Sequence, residues 1–297
     1  MSYVLFALAC AIIWAIGNTV DKFYLDKWLD DPKIPMFILA VVGVVISAVI
    51  FLVRPVAFEL SIGVWLSLLS GVANLAILFC YFYALKLGEV SRVIPILSTT
   101  PIFTAILAFF FLGEIFNAYK YAGIILIVAG AILIEFRKGK GIKLNKAFLL
   151  AVLGSAFGGI WAILTKMALN RIDFWSMFAY ARIGVFIAML PWMPGMIKGL
   201  IKATKKFGLK VPVLISGNEI WGYLGTMANN FAYTIGPASL VSALANVQPV
   251  FTLILTVFLT LVFPKFLKEQ ISKEVIIMKV ISTIMIVAGV FLVSGVF

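Results

Sequence analysis

Two ionisable residues lie within apolar stretches of the chain, where a charged side chain costs free energy. Arg182 is near the middle of the apolar run 174–193, and Glu219 is in the first half of the run 212–235. An unpaired charge at the centre of a membrane helix costs roughly 2.5 to 3.5 kcal/mol. Arg182 could hold a carboxylate or another anion, and Glu219 could take up and release a proton. The structural alternative is a buried ion pair that locks the two helices together.

Two prolines, Pro101 and Pro249, each fall near the middle of an apolar run. Proline removes a backbone N–H, so each should kink its helix and free a carbonyl group, such as that of Leu97. Polar residues come directly before both prolines: Ser98, Thr99 and Thr100 in one run, and Asn246 and Gln248 in the other. Interrupted helices with polar groups at matching depths indicate a transport site. The same groups could instead satisfy the freed backbone.

Amide and aromatic side chains extend this candidate substrate-binding set. Asn74 and Tyr81 lie in the run 62–85, Trp161 lies in the run 147–169, and Asn229 and Asn230 lie in the run 212–235. Amides and tyrosines can orient a zwitterion or a sugar, and aromatic faces can hold a cation. Helix packing is the alternative role for each of them.

Catalytic and metal chemistry find no support in the sequence. The chain contains no histidine, which removes imidazole as a base or metal ligand. We find no carboxylate pair, HExxH motif or nucleophile–base set in the apolar runs. We therefore predict no catalytic residue, no metal and no cofactor.

The composition indicates the elements that must position these residues. Of 297 residues, 64% are hydrophobic and 12% are charged, against about 25% charged in an average soluble domain. A helix needs roughly 20 apolar residues to cross a bilayer. Runs of this kind occur at 2–20, 34–53, 62–85, 91–112, 118–136, 147–169, 174–193, 212–235, 239–263 and 275–296. We predict an all-α integral membrane protein with ten transmembrane helices.

The second half of the sequence repeats the first. A shift of 148 positions aligns residues 84–110 with 232–258 and pairs Gly88 with Gly236 and Pro101 with Pro249. Five spans per half give the copies opposite orientations, so we predict two inverted five-helix repeats, 1–140 and 141–297.

Basic residues are distributed unevenly between the two predicted membrane faces. The face that carries the termini has only four of the 24 lysines and arginines, namely Arg54, Lys120, Lys166 and Arg171. Apart from Arg182, the others fall on the opposite face. The positive-inside rule then places both termini outside the cell membrane. The net charge of +12 is thus an orientation signal, and we predict the lipid bilayer and a small-molecule substrate as partners, a monomer or homodimer, and no nucleic acid.

Several short motifs resemble those of EamA-type transporters in the drug/metabolite transporter superfamily. They are Trp14, the stretch YALKLG at 83–88, Pro101 with Phe103, LGE at 112–114, and the Ala-Gly pairs 129–130 and 288–289. The resemblance implies ten helices, a central cavity between the halves, and export or uptake of small metabolites. Members of this family usually have cytoplasmic termini, whereas the charges here place them outside.

Together these observations predict a multi-pass secondary active transporter, not an enzyme, that works by alternating access. The favoured substrates are small polar or amphipathic metabolites, with amino acids or their derivatives first, and proton coupling through Glu219 is a hypothesis. The alternatives are a nucleotide-sugar or drug/cation transporter of the same superfamily, an intramembrane enzyme that modifies lipids, and a scaffold without transport activity.

Overall fold

The computed structural model describes residues 2–54, 61–112, 117–134, 136–137, 141–142, 144–267, 269 and 272–294. Its helices are α1 (Ser2–Lys27), α2 (Lys33–Val53), α3 (Ile62–Leu87), α4 (Val90–Leu97), α5 (Thr100–Leu112), α6 (Ala118–Leu133), α7 (Lys146–Leu169), α8 (Phe174–Met189), α9 (Met193–Phe207), α10 (Lys210–Ile235), α11 (Ala238–Ala245), α12 (Gln248–Val262) and α13 (Lys273–Ser294). A 3-10 turn, Leu190–Trp192, links α8 to α9, and β1 (Phe136–Arg137) pairs antiparallel with β2 (Gly141–Ile142). Gly113 and Glu114 of the LGE motif lie outside the described residues.

Eight helical segments of the described chain are long and apolar enough to cross a membrane. They are Tyr3–Lys27, Lys33–Val53, Ile62–Leu87, Val90–Phe111, Lys146–Leu169, Phe174–Phe207, Val241–Val262 and Lys273–Leu292. The helix α6 is apolar but shorter. The helix α10 has the length, but polar residues such as Glu219 and Asn229 lower its apolar character. The α-helical membrane class is therefore established, and the number of ten spans stays a prediction.

Apolar side chains cover much of the outer surface of the bundle. Large hydrophobic residues are exposed on many different helices, among them Leu52, Trp65, Phe110, Ile125 and Ile254. In water such a surface would favour aggregation, whereas in a bilayer it faces lipid chains of the same polarity. Several polar residues point inward instead, which gives the bundle the polarity expected around a solute pathway.

Two glycines allow α3 and α8 to cross with their backbones in contact. A Cβ atom added at Gly71 would lie 2.0 Å from the carbonyl oxygen of Ala181, and one added at Gly184 would lie 2.2 Å from that of Leu68. No side chain fits at either position, so both glycines are required for this crossing. The crossing fixes the helix that carries Arg182, which follows Ala181 directly.

Both predicted helix interruptions are present. The sequence predicted a kink within one helix at each site, whereas the structure has two separate helices there. The first lies between α4 and α5, and the second lies between α11 and α12. Pro101 and Pro249 occupy the first turn of α5 and α12, where the missing N–H has no partner to lose. The carbonyl of Leu97, which we expected to be freed, accepts a hydrogen bond from Thr100 Oγ1 at 2.8 Å.

A buried ion network joins the two halves of the sequence next to the start of α4. Lys279 Nζ on α13 lies 2.9 Å from a Glu89 oxygen and 3.1 Å from a Glu269 oxygen. Glu89 also pairs with Arg92 Nε at 3.0 Å, and Glu269 accepts a hydrogen bond from the Ser91 backbone N–H at 3.1 Å. This alternation of charge satisfies buried groups that would be costly if left alone.

Candidate functional site

A cavity of about 210 Å³ lies inside the bundle, between α1, α3, α7, α8 and α10 and beside both helix breaks. Most of the residues predicted from the sequence line it: Asn74, Tyr81, Ser98, Thr100, Trp161, Arg182, Glu219, Asn229, Asn246 and Gln248. The structure therefore brings together residues from both halves of the chain. A concave site of this kind, mostly apolar with a few polar groups, is suited to a small molecule.

Two predicted binding residues, Thr99 and Asn230, are not among the residues that line the cavity. The hydroxyl of Thr99 donates to the Ile96 carbonyl at 2.8 Å and contacts the Ser155 hydroxyl at 3.0 Å. It thereby joins the end of α4 to α7, which is the packing role. Asn230 is 1% exposed, and its Oδ1 atom has no hydrogen-bond partner among the described residues.

Arg182 is buried in the wall of the cavity against two aromatic rings. Its guanidinium carbon lies 5.0 Å from the centroid of the Phe178 ring and 5.2 Å from that of Tyr223. The Nε and Nη2 atoms have no hydrogen-bond partner in the described part of the chain. A guanidinium group carries five N–H donors in a fixed fork, which suits a carboxylate. Arg182 is thus a cation with donors available to an anion.

The ion pair between Arg182 and Glu219, which the sequence left as the structural alternative, is not present among the described contacts. Instead, Glu219 Oε1 lies 3.4 Å from the hydroxyl oxygen of Tyr24. Arg182 and Glu219 both line the cavity, but each contacts different side chains.

Asp21, which the sequence interpretation assigned to a loop, is the second carboxylate of the site. It is 7% exposed, lines the cavity, and accepts hydrogen bonds from the hydroxyls of Tyr24 and Tyr81. Asn218 Nδ2 donates to it at 2.6 Å. The Tyr24 hydroxyl contacts both Asp21 and Glu219. The statement that the spans contain no carboxylate pair was therefore wrong.

The sequence contains a signal for Asp21, namely polar and aromatic residues at helical spacing that continue past the end of the apolar run. The apolar run ends at Val20, but α1 continues to Lys27. Trp14, Asn18 and Asp21 are spaced four and three residues apart, which places them on one face of a helix, and all three line the cavity. The same periodicity on α10 includes Glu219 and Asn229 and adds Tyr223 and Thr226. Polar residues at helical spacing are a signal that run length alone does not detect.

We looked for side chains that could together hold a metal ion. Within the described residues no three Asp, Glu, Cys or His side chains come together as a metal site would require. The two cysteines, Cys10 and Cys80, are buried as free thiols. The polar and charged groups that line the cavity can provide hydrogen bonding, charge recognition and proton exchange.

A bundle of apolar helices around a cavity with a few polar groups is compatible with a membrane transporter, and comparison with known proteins gives the family. Residues 1–136 match the EamA-like transporter family. An uncharacterized transporter in the cobO 3' region of a Sinorhizobium species is 38% identical over 98 residues, which cover 33% of this chain and 68% of that protein. An uncharacterized protein of Methanocaldococcus jannaschii is 25% identical over 133 residues, or 44% of this chain and 95% of its own. The chain belongs to the EamA-like transporter family.

A solved crystal structure shares the fold of the entire chain. It superposes with a TM-score of 0.63 over 100% of this chain and 99% of its own, at 16% sequence identity. That identity supports the fold alone. The family resemblance expected from the sequence motifs is confirmed, and the protein is a multi-pass membrane transporter of the drug/metabolite transporter superfamily.

Proposed function

We propose that this protein is a secondary active transporter that moves small polar or amphipathic metabolites, with amino acids or their derivatives first, by alternating access. The observation that carries the proposal is the cavity of about 210 Å³ with Arg182 in its wall, whose buried Nε and Nη2 atoms have no hydrogen-bond partner among the described residues. Arg182 would bind the carboxylate of the substrate. Asn74, Tyr81, Trp161, Asn229, Asn246, Gln248, Ser98 and Thr100 would orient the remainder, and Thr99 and Asn230 would support the wall from behind.

The proposal includes ten spans in two inverted repeats, 1–140 and 141–297. Contacts between the halves support it, because they occur in pairs that a two-fold exchange of the halves would relate. The contact of α3 with α7 corresponds to that of α10 with α1, and the contact of α3 with α8 corresponds to that of α10 with α2. The contact of α5 with α7 likewise corresponds to that of α12 with α1. Such symmetry allows the halves to exchange inward-facing and outward-facing roles.

We also propose that Glu219 couples transport to a proton gradient. Glu219 is 5% exposed and lines the cavity, so its protonation would be sensitive to substrate binding. In proteoliposomes with an imposed pH gradient, Glu219→Gln should lose gradient-driven uptake while retaining exchange of substrate across the membrane. Glu274→Gln, at an exposed position, is the control. Undiminished gradient-driven uptake by Glu219→Gln would overturn this role.

The substrate class can be tested by the thermal stability of the detergent-solubilised protein. A ligand that binds the folded state raises its apparent stability. Amino acids should raise the midpoint for the wild type but not for Arg182→Gln, whereas nucleotide sugars and polyamines should have less effect. A stabilising effect of nucleotide sugars alone would contradict the proposal. Of the described residues that line the cavity, Arg182 is the one basic side chain, which is too few for a diphosphate.

A further inference from the structure

The end of the cavity that holds Asp21 and Glu219 is acidic, and Asp21 has been assigned no role. We propose that the carboxylates of Asp21 and Glu219 form a subsite that binds the ammonium group of the transported metabolite. This inference rests on the transport function proposed above and names the group that this end of the cavity recognises. The predicted ligands of this subsite are therefore primary amines and amino acids, whereas a simple carboxylic acid can engage only Arg182.

The carboxylates of Asp21 and Glu219 have acceptor positions left over for a ligand that donates hydrogen bonds. Asp21 accepts from Tyr24, Tyr81 and Asn218, which uses three of the about four acceptor positions of a carboxylate. In the described part of the chain, Glu219 accepts only the contact from Tyr24, at 3.4 Å. An ammonium group brings three donors and no acceptor. The two carboxylates together can accept those donors, while tyrosines and an amide hold Asp21 in place.

The charge of the cavity also favours a cation. Among the described residues that line it, the formally charged side chains are Asp21, Glu219 and Arg182. With both acids ionised the wall carries one net negative charge, which an ammonium group would neutralise. An amino acid carries one positive and one negative charge, so its binding leaves the net charge of the cavity at minus one. One proton on the carboxylate pair would then bring the net charge to zero. The carboxylates that would bind the ammonium group are thus also the groups that would take up the coupled proton.

Two buried polar groups in the cavity wall, Asn18 beside the pair and Arg182 at the other end, indicate that a polar ligand completes the site. Asn18, one turn before Asp21 on α1, has its Oδ1 atom 2.7 Å from the hydroxyl oxygen of Tyr81, whose single hydrogen is also the one within reach of Asp21. Its Nδ2 atom has no partner in the described residues although the side chain is only 8% exposed. Arg182 is 1% exposed and also has unpartnered donors. Both groups are donors and require an acceptor, which the carboxylate of an amino acid supplies and its ammonium group does not.

Spacing along α10 is compatible with one small zwitterion reaching both ends. Tyr223, whose ring lies under the guanidinium group of Arg182, follows Glu219 by four residues. Four helical residues rise about 6 Å along the axis. Since each charged group of the ligand adds a hydrogen bond of about 2.8 Å, the short skeleton of an amino acid can bridge the interval.

The test measures binding of a matched set of probes to the purified full chain. The set consists of the common amino acids, the amine obtained from each by removing the carboxyl group, and the acid obtained by removing the amino group. Binding is measured by quenching of tryptophan fluorescence, because Trp14 and Trp161 line the cavity. In Asp21→Asn, amines and amino acids should bind at least about tenfold more weakly, whereas acids should be unaffected. In Arg182→Gln, the acids should lose affinity instead.

Matched variants separate loss of the subsite from loss of the fold. Asp30→Asn removes an exposed carboxylate of the α1–α2 connection outside the cavity and should bind every probe like the wild type. If Asp21→Asn does not give a folded protein, Glu219→Gln replaces it, since that side chain makes a single long hydrogen bond. Amine affinity equal to that of the wild type in either folded variant overturns the subsite. Failure of every amine and amino acid to bind the wild type overturns it as well.

Transport in proteoliposomes distinguishes this inference from the proposed function. Amines that bind in an Asp21-dependent manner but are never transported would support the subsite and contradict secondary transport. Transport of the amine-free acids, with no uptake of amines or amino acids, would support the transporter and contradict the subsite.

Discussion

The guanidinium group of Arg182 is buried between aromatic rings with donors that nothing in the described chain accepts. Arg92 provides a contrast within the same protein. It is 2% exposed, pairs with Glu89 at 3.0 Å, and donates from Nη1 to the Ile134 carbonyl at 2.6 Å. A buried arginine that stabilises a fold should resemble Arg92. Arg182 lacks those contacts, which is typical of a residue retained for binding.

This contrast predicts opposite effects of one substitution at two sites. Arg182→Met should abolish binding of amino acids while leaving the thermal midpoint unchanged or higher, because Arg182 has no ion-pair partner among the described residues that its removal would leave as an unpaired buried charge. Arg92→Met should lower the stability by roughly 1 to 3 kcal/mol, because it leaves buried polar partners unsatisfied. Differential scanning fluorimetry of the two purified variants is the measurement. A lower midpoint for Arg182→Met would instead indicate a structural role.

At the scale of helices, close contact between backbones decides where the functional side chains lie. Gly71 is needed where α3 meets the Ala181 carbonyl of α8. Gly43 has the same role on α2, because an added Cβ would lie 2.4 Å from the Tyr223 hydroxyl. That hydroxyl donates to the Leu39 carbonyl at 2.7 Å. The aromatic wall beside Arg182 is therefore positioned by residues without side chains.

Gly71→Ala should disrupt this arrangement, while Gly217→Ala should not. At Gly71 the new methyl group overlaps the backbone of α8, and overpacking of this kind costs typically about 1 to 3 kcal/mol or more. Gly217 lies within α10 with nothing within 4 Å of an added Cβ, so alanine there should be neutral or stabilising by up to about 1 kcal/mol. Thermal midpoints compare the two. Equal midpoints for both variants would show that α3 and α8 can separate without loss.

The sequence predicted the helices well because membrane helices are long and apolar, and it predicted the two interruptions because proline leaves a local mark. It also selected Arg182 and Glu219, which are conspicuous inside apolar runs. Asp21 was missed because hydropathy ends a span at the first charge, whereas α1 continues beyond it. Thr99 was misplaced because neighbours in sequence point in different directions at a helix break. The partners Tyr24 and Asn218 depend on the packing of α1 against α10, which no local pattern encodes.

The orientation of the whole molecule is predicted by its loop charges, and it decides which membrane face the acidic end of the cavity approaches. Asp21 lies six residues before the end of α1, and Glu219 lies nine residues after the start of α10. Both of these helix ends belong to the basic face. If the positive-inside rule applies, the ammonium subsite is nearer the cytoplasm than Arg182. An imported amino acid would then meet Arg182 first.

Cysteine labelling in whole cells tests this orientation. Arg171→Cys, between α7 and α8, should react with a membrane-impermeant maleimide in intact cells, whereas Lys202→Cys on α9 should react only after the membrane is permeabilised. Both residues are exposed. Cys10→Ala and Cys80→Ala provide the background, since both native thiols are buried and should contribute little signal. The reverse labelling pattern would place the termini in the cytoplasm. The acidic subsite would then approach the external medium, where an imported amine would contact it before any other charged group.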